Sequence, residues 1–207
     1  MNLNLIFPTP IWSENLTPYL AEAGYGQNQF IEFCQTQRNL DPVGTYQSNT
    51  GGWEMKHRSF DHFPEFGSFK KILIEKFKDV FAQYGYDTTN QYDVQISYFW
   101  CNINNRGHSN TTHAHLQSFL SSVFYIQVPE NSGRICFIRD YKESSLISQY
   151  GNPTQNDINF SSYTYRPEAG QLIIFPSWLP HRVEPNQSNQ ERISMAFDAK
   201  LVAKVFD

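Results

Sequence analysis

The sequence predicts an α+β protein that is mainly β, with a sandwich or jelly-roll core and helices packed on one sheet. Two observations predict this class. Helical patterning is confined to the first 90 residues, whereas residue 91 onward consists of short segments rich in β-branched and aromatic residues. With 207 residues, 16% of them aromatic, the chain can build one sizeable core. We therefore expect one domain over 1–207, with a helical and loop part at 1–90 and the strands at 91–207.

The N-terminal part is expected to begin with an extended segment followed by a partial helix. Residues 3–12 read as extended, and Pro8 and Pro10 confine this segment to a sheet edge because proline cannot donate a ladder hydrogen bond. Residues 18–38 have a helical pattern in part. The stretch 41–66 is rich in Gly, Asn, His and aromatic residues and reads as a loop.

The clearest helix is expected at residues 68–84. Ser68 is the expected N-cap, because its hydroxyl can accept a hydrogen bond from the first turn, and Gly85 follows as a stop. Apolar residues recur at helical spacing at positions 69, 72, 73, 77, 80 and 81. This pattern gives the helix one apolar face to pack on a sheet.

The second half of the chain is expected to hold six or seven strands, separated by turns that contain Gly, Pro and Asn. The expected strands lie within 91–104, 118–128, 134–141, 160–167, 171–178, 181–185 and 192–199. Strands at this spacing are typical of a sandwich or jelly roll. We find no internal repeat and no segment with the composition of an interdomain linker.

Composition and charge argue against several classes of function. The formal net charge is −4 and no run of Lys and Arg stands out, so electrostatics give no reason to expect nucleic acid as a partner. The three cysteines have no CxxC spacing, which favours a reducing cytoplasm over a disulfide framework. The first residues lack the features of a signal peptide, and no apolar run is long enough to span a bilayer. A soluble cytoplasmic protein is expected.

Three histidines in the second half of the chain are candidate metal ligands. His113 and His115 are two residues apart, so in an extended segment both imidazoles lie on the same face. His181 follows a buried apolar strand, at a strand end where a jelly roll holds its ligands. Neutral imidazoles bind borderline divalent metals. The alternatives are that the first two are surface residues and that His181 is a structural histidine.

An arginine on the last expected strand is a candidate anion clamp. Arg192 and Ser194 share one face of that strand, and a guanidinium facing the interior needs an anion because leaving it buried and unpaired costs several kcal/mol. A small diacid would satisfy it through a bidentate contact with a carboxylate. The alternatives are that Arg192 points to solvent or pairs within the chain with Glu184, Glu191 or Asp198.

Five segments of the chain resemble one known family. They are 7–12, 107–115 with its His-Ala-His motif, 122–126, 170–181 ending at the distal histidine, and 191–194 with Arg-Ile-Ser. Together they resemble the iron(II)- and 2-oxoglutarate-dependent oxygenases, in the branch near the prolyl hydroxylases that often occurs in bacteria and their phages. The similarity covers most of the chain. The set is specific, whereas any one piece alone is weak.

The resemblance implies a double-stranded β-helix, a form of jelly roll, that holds Fe(II) chelated by 2-oxoglutarate. It also implies that O2 and the 2-oxoglutarate cosubstrate are consumed as a C–H bond is hydroxylated, with succinate as the product. His113 matches the first metal ligand and His181 the distal one. Arg192 and Ser194 match the residues that hold the far carboxylate of the cosubstrate. A phage-encoded member would work in the host cytoplasm.

Two further residues are assigned to the cosubstrate pocket by the resemblance. Asn110 occupies a position where prolyl hydroxylases often carry a tyrosine that binds the cosubstrate. Tyr125 lies on the following expected strand and would line the same pocket, with a structural aromatic role as the alternative.

The chain departs from the family pattern at the second metal ligand. The usual triad has two histidines and one carboxylate, but the second position here is His115. Three neutral imidazoles leave the metal its full charge, which favours an anionic chelator and also favours competition by zinc, nickel or copper. The alternative is that His115 points away and Asp140 supplies the carboxylate. We favour His115.

Two other classes compete with an oxygenase. One is a degenerate jelly-roll module that binds a metal or a diacid without turnover, and the other is a cupin-like three-histidine metalloenzyme that does not use 2-oxoglutarate. The substrate, a small molecule or a peptidyl group, is not encoded in a recognisable motif, because loops such as 41–66 and 141–160 would contact it. His57 lies in the first of these loops, as a core-edge residue or a substrate contact. A homodimer is possible.

Overall fold

Antiparallel strands and a few helices make up the computed structural model, which describes residues 7–139, 154 and 159–205. The α-helices of this described part are α1 (Thr17–Glu22), α2 (Gln27–Leu40) and α3 (Gly67–Gln83), and two short 3-10 turns cover Phe60–His62 and Pro64–Phe66. The strands are β1 (Trp12–Asn15), β2 (Asn49–Thr50), β3 (Trp53–Glu54), β4 (Tyr92–Asn104), β5 (Ser109–His113), β6 (Leu120–Gln127), β7 (Ile135–Ile138), β8 (Ser162–Tyr165), β9 (Gln171–Pro176), β10 (His181–Val183) and β11 (Arg192–Ala203).

The strands form two antiparallel sheets. One has the order β1-β9-β6-β11-β4-β3 and the other the order β2-β5-β10-β7-β8. Among the described strands from β4 to β11, the chain alternates between the two sheets, except that β7 and β8 lie in the same sheet. This alternation is the connectivity of a double-stranded β-helix, so the predicted jelly-roll class with helices on one sheet is confirmed.

The helices cover the outer face of the six-stranded sheet. Helices α2 and α3 pack on β4 and β6, and a cluster of aromatic rings fills this layer. The ring centroids of Phe30 and Phe69 are 4.9 Å apart, and Phe69 lies 5.4 Å from Phe124 of β6. Aromatic pairs at these distances stabilise the layer beyond simple burial.

The opposite face of the six-stranded sheet looks toward the second sheet. Because side chains alternate along a strand, the neighbours of these core residues project inward. Tyr125, Ile173 and Phe175 therefore pack with Ile135 and Phe137 of the five-stranded sheet in a second, smaller apolar cluster. Polar side chains of β4 and β11 also project into this space between the sheets, which therefore contains both the smaller apolar cluster and the candidate site.

The helix predicted from the sequence is present, but its expected N-cap is wrong. Helix α3 begins at Gly67, with Phe66 in the N-cap position and no side-chain cap. The reason is that the preceding 3-10 turn continues directly into the helix, so no extended residue is available for Ser68 to cap. Gly85 stops the helix as expected, with a φ of +89° that an L side chain adopts only with strain.

The partial helix expected over 18–38 is two helices, because the chain turns at Gly24–Gly26. The segment read as a loop, 41–66, supplies β2 and β3 to opposite sheets. Strands of two residues carry no periodicity that a sequence pattern could reveal. No helix within the described ranges is both long and apolar enough to cross a membrane.

One turn places the candidate anion clamp and requires glycine. Gly133 has a φ of +90°, and a Cβ added there would collide with the carbonyl oxygen of Glu184 and lie 2.8 Å from Nη1 of Arg192. Gly85 has a similar φ, but a Cβ there would meet nothing within 4 Å. A side chain at Gly85 would therefore cause backbone strain alone, whereas a side chain at Gly133 would cause backbone strain and steric overlap.

We expect Gly85→Ala to lower the free energy of unfolding by about 1 kcal/mol, the cost of left-handed backbone. Gly133→Ala should cost about 2 kcal/mol more, because overpacking adds to that strain. Urea unfolding of both variants and the wild type measures the difference. Equal losses in the two variants would contradict the close approach to Arg192.

Candidate active site

The three candidate histidines converge between the ends of two paired strands. His113 is the last residue of β5 and His181 the first of β10, and they are direct partners in the ladder. His115 follows two residues later, with its ring centroid 5.2 Å from that of His113 and 5.3 Å from that of His181. One nitrogen from each of the three lies within 4.8 Å of the others. The spacing suits a single metal ion.

The hydrogen bonds of the three rings set their tautomers. Each Nδ1 lies against an oxygen that can only accept, so each Nδ1 carries the proton and donates it. The acceptors are the carbonyl of Thr111 for His113 (2.8 Å), the carbonyl of Leu179 for His181 (3.0 Å) and the carboxylate of Asp198 for His115 (3.0 and 3.1 Å). The three Nε2 atoms therefore keep free lone pairs.

The protonation states also suit a metal. Burial, together with the neighbouring His113, lowers the pKa of His181 to about 3. Burial likewise lowers the pKa of His113, against the hydrogen bond to Thr111. Nε2 of His115 is buried and has no hydrogen-bond partner among the residues described. Neutral, unpartnered imidazole nitrogens that face one another fit a divalent cation.

A carboxylate supports His115 from behind. Asp198 accepts a hydrogen bond from His115 Nδ1 and another from the hydroxyl of Ser121 (2.7 Å), which itself lies 2.8 Å from the hydroxyl of Ser177. A carboxylate on the far nitrogen of a ligating histidine fixes the ring and raises its basicity. The carboxylate that is absent from the expected ligand triad is thus present behind His115, to which it is joined by a hydrogen bond. Asp140, the alternative ligand, lies outside the described residues.

A cavity of about 60 Å³ between the two sheets adjoins the histidines. That volume corresponds to roughly five waters, which is comparable to a five-carbon diacid. All of the candidate site residues line it: His113, His115, His181, Arg192, Ser194, Asn110 and Tyr125. The structure therefore brings together every residue that the sequence singled out, apart from Asp140.

The guanidinium of Arg192 is buried with one nitrogen unsatisfied. The side chain is 2% exposed, and Nη1 donates to the carbonyl oxygens of Ser132 and Glu184. Nη2 is buried and has no partner within the described part of the chain. Burial lowers the pKa of Arg192, although a guanidinium stays charged in proteins. A buried cation in this state requires an anion.

None of the acids that could have neutralised Arg192 does so. Glu184 binds Arg134 (2.8 Å) and Glu191 binds Arg38 (2.7 Å). Asp198, six residues along β11, binds His115 instead. The intramolecular alternatives left open by the sequence are therefore not realised, and no acid within the described residues neutralises Arg192.

Hydroxyl and amide groups on β11 and on the neighbouring strands line the cavity together with the guanidinium. Ser194 lies opposite Tyr125 of β6 and opposite Asn102 of β4 in the sheet. Burial raises the pKa of Tyr125, so its phenol stays protonated and can donate a hydrogen bond. Asn110 donates to the hydroxyl of Ser48 (3.2 Å) at the cavity wall.

The sequence reasoning missed the polar residues of β4. Trp100, Asn102 and Asn104 line the cavity, and the last two pair directly with Ser194 and Arg192. The alternation that was applied to β11 would have found them, because positions 100, 102 and 104 share one face of their strand. These residues were missed because their neighbours in the sequence are apolar, so the strand reads as buried on both faces.

A second, open cavity of about 760 Å³ lies on the other side of the histidines. His113 and His115 face it together with Trp100, whose ring is 5.4 Å from that of His115. His57 stacks on Trp100 with ring centroids 4.3 Å apart and lines this groove, so its position is compatible with the substrate contact that the sequence left open. The groove gives the metal position access to a large molecule.

Glu54 is a buried acid in this groove that the sequence gave no reason to select. The side chain is 2% exposed, and Oε1 is buried without a hydrogen-bond partner in the described structure. Burial raises the pKa of Glu54 to about 7, and the nearby His115 partly opposes this shift. An acid in this state lacks the cation or donor that would normally accompany it.

Asp198→Asn should weaken metal binding by about 10- to 100-fold, because it removes the charge behind His115 while keeping the side-chain size. Equilibrium dialysis with Co(II) or Ni(II) gives the dissociation constants. Asp93→Asn is the matched control, since Asp93 is an exposed acid on β4 that pairs with Lys204. Unchanged affinity in Asp198→Asn would show that Asp198 does not support a ligand.

Glu54 should make the metal-free protein less stable as pH rises. Between the ordinary value of 4.5 and about 7, the unfolded chain releases this proton while the folded protein retains it, so the free energy of unfolding falls across that window. The loss is on the order of 3 kcal/mol at about 1.4 kcal/mol per pKa unit. Urea unfolding should show that Glu54→Gln removes this slope and that Glu22→Gln, at an exposed position, does not. If the free energy of unfolding depends on pH in the same way in Glu54→Gln and in the wild type, the prediction is wrong.

Comparison with known proteins agrees with this geometry. Residues 98–198 match the family described as "Putative 2OG-Fe(II) oxygenase", a range that includes the three histidines, Arg192 and Asp198. No curated protein sequence matches the chain significantly.

Solved structures share the fold at low sequence identity. A prolyl-4-hydroxylase from Pseudomonas putida superposes with a TM-score of 0.59 at 14% identity, over 93% of this chain and 92% of that one. A viral collagen prolyl hydroxylase from Paramecium Bursaria Chlorella virus-1, in complex with 2OG, gives 0.56 at 9% identity, over 91% and 94%. HygX from Streptomyces hygroscopicus, with nickel and 2-oxoglutarate bound, gives 0.55 at 10% identity, over 92% and 82%.

The family match and the fold agree with the resemblance noted in the sequence. The family implies iron and 2-oxoglutarate, and the residues around the inner cavity fit both. Over residues 98–198, this protein is similar to the family of putative 2OG-Fe(II) oxygenases.

Proposed function

We propose that the protein hydroxylates a C–H bond of a molecule bound in the open groove, with Fe(II), 2-oxoglutarate and O2. The observation that carries the proposal is that two kinds of unsatisfied buried group line one small cavity. Nε2 of His115 and Nη2 of Arg192 both lack partners within the described residues. A metal and a carboxylate would satisfy them together, and 2-oxoglutarate is a carboxylate that also chelates a metal.

His113, His115 and His181 would hold the iron through Nε2. When bound, iron and 2-oxoglutarate supply the oxidising chemistry, which converts the cosubstrate and O2 to succinate, CO2 and an oxygen atom for the substrate. Three neutral ligands leave the ion its double positive charge, which favours the dianionic cosubstrate. Through its hydrogen bond to His115, Asp198 would partly compensate the positive charge of the ion. The same hydrogen bond keeps the proton on Nδ1, so this ring would serve as a ligand and not as a base.

Arg192 would fix the far carboxylate of the cosubstrate. Its free Nη2 provides a charge-assisted hydrogen bond, and the hydroxyls of Ser194 on the same strand and of Tyr125 on the adjoining β6 would add neutral ones. Asn110 would complete the wall on the side of β5. These groups are held before the ligand arrives, so little ordering is required when it binds.

Apolar walls would keep bulk water from the reacting centre. Val123, Ile135 and Phe175 line the inner cavity beside the polar groups, and Phe175 packs on His181 with ring centroids 4.7 Å apart. Exclusion of water strengthens the interactions of the charged groups and protects the oxidant from side reactions.

The proposed setting is the cytoplasm. The three cysteines are free and buried, which suits a reducing compartment. A small molecule or a peptidyl group is the proposed substrate class, and the net charge of −4 gives no reason to add nucleic acid.

Anaerobic titration with Fe(II) and 2-oxoglutarate should produce a weak visible charge-transfer band. Arg192→Ala should raise the dissociation constant for 2-oxoglutarate by at least about 30-fold, because a buried charged contact of 2 kcal/mol or more is lost. Arg166→Ala, at an exposed arginine, is the control. No band, together with unchanged diacid binding in Arg192→Ala, would overturn the proposal.

The competing classes give different results in air. An oxygenase should form succinate slowly even without its primary substrate, and His181→Ala should abolish this. An inert binding module would bind 2-oxoglutarate without forming succinate. A cupin-like enzyme would bind the metal and not depend on Arg192 at all.

A further inference from the structure

The groove outside the histidines contains an acid, Glu54, for which the described residues provide no partner at Oε1. Strand β3 places Glu54 directly opposite Asn102 of β4, so its side chain projects on the inner face of the six-stranded sheet. Because β3 is the edge strand of that sheet, this side chain lies in the open groove and not in the inner cavity.

The surroundings of Glu54 do not neutralise it. No ion pair within the described structure involves this carboxylate, and Oε1 has no hydrogen-bond partner. Burial lowers the pKa of the nearby His57, so that ring is neutral at pH 7. Lys200 lines the same groove, but its side chain is exposed to solvent.

The metal does not explain Glu54 either. The nitrogens that converge within 4.8 Å come from the three histidines, and no oxygen of Glu54 belongs to that group within the described residues. Its carboxylate lines the same groove as His115 but is outside the ligand set. A group beside the metal, and not on it, is suited to hold the substrate.

The walls between Glu54 and the histidines are aromatic. Trp100 is stacked with both His57 and His115, which fixes its position. Tyr98, two residues earlier on the same face of β4, is 51% exposed and lines the groove. Such rings accept aliphatic chains and cations on their faces.

We propose that the groove binds a substrate with a cationic group, a primary ammonium or a guanidinium on an aliphatic chain, and that Glu54 pairs with this cation. The aliphatic part would lie along Tyr98 and Trp100 and reach the histidines. This inference rests on the proposed oxygenase function, because it names the substrate class of the same site. Glu54 is the residue that sets specificity, through a buried charge-assisted hydrogen bond.

The test is binding of four matched probes to the anaerobic Fe(II) and 2-oxoglutarate complex. The probes are the N-acetyl methylamides of lysine, arginine, norleucine and glutamate, which differ in side-chain charge at similar size. The wild type should bind the lysine or the arginine probe at least about 10-fold more tightly than the norleucine probe, as a charge-assisted contact gives. Equal or tighter binding of the norleucine or glutamate probe would overturn the proposal.

Three variants assign the preference to Glu54. Glu54→Gln should abolish it, whereas Glu54→Asp should keep part of it because the charge remains, which separates loss of charge from loss of fold. Lys200→Gln should keep the full preference for cations. A preference that survives in Glu54→Gln, or that disappears in Lys200→Gln, contradicts the assignment.

The two proposals fail in different ways. If wild-type protein forms succinate but does not prefer cationic probes, the oxygenase function stands and the substrate class is wrong. If cationic probes bind through Glu54 but neither succinate nor 2-oxoglutarate binding is detected, the groove site stands and the oxygenase function is wrong.

Discussion

The alternation of side chains along β11 is the constraint on which the rest of the structure depends. This strand lies between β6 and β4, so both of its faces are covered. Ile193, Met195 and Phe197 face the helices and build the larger core. Arg192 and Asp198 lie on the opposite face, where Arg192 lines the inner cavity and Asp198 binds His115. A shift of one residue would exchange these faces, so the same register fixes the fold and the site.

The charged and polar groups of the site are energetically favourable only when they are considered together with the ligands that would bind them. Three neutral imidazoles, a buried arginine without an anion and a carboxylate held behind His115 are each costly or incomplete alone. A divalent cation and a dicarboxylate would resolve all of them together. In the proposed centre, where His115 would stand in place of the usual acid, Asp198 still supplies a carboxylate through a hydrogen bond.

Much of the fold and of the inner site was predictable, and the rest was not for identifiable reasons. Period-2 patterning located the long strands, and the spacing of His113 and His115 placed both rings on one face. Asn102 was missed because its strand has apolar residues on both sides. Glu54 and Asp198 were missed as functional residues because their roles depend on contacts between distant segments: β3 against β4, and β11 against the residues that follow β5.

The central claim is that one cavity joins a three-histidine metal centre to Arg192. An anaerobic crystal structure with Fe(II) and 2-oxoglutarate tests this most directly. The account predicts iron on Nε2 of His113, His115 and His181, the far carboxylate of 2-oxoglutarate on Nη2 of Arg192, and Asp198 still bound to His115. A metal held without His115, or a cosubstrate that leaves Arg192 unpaired, would contradict it.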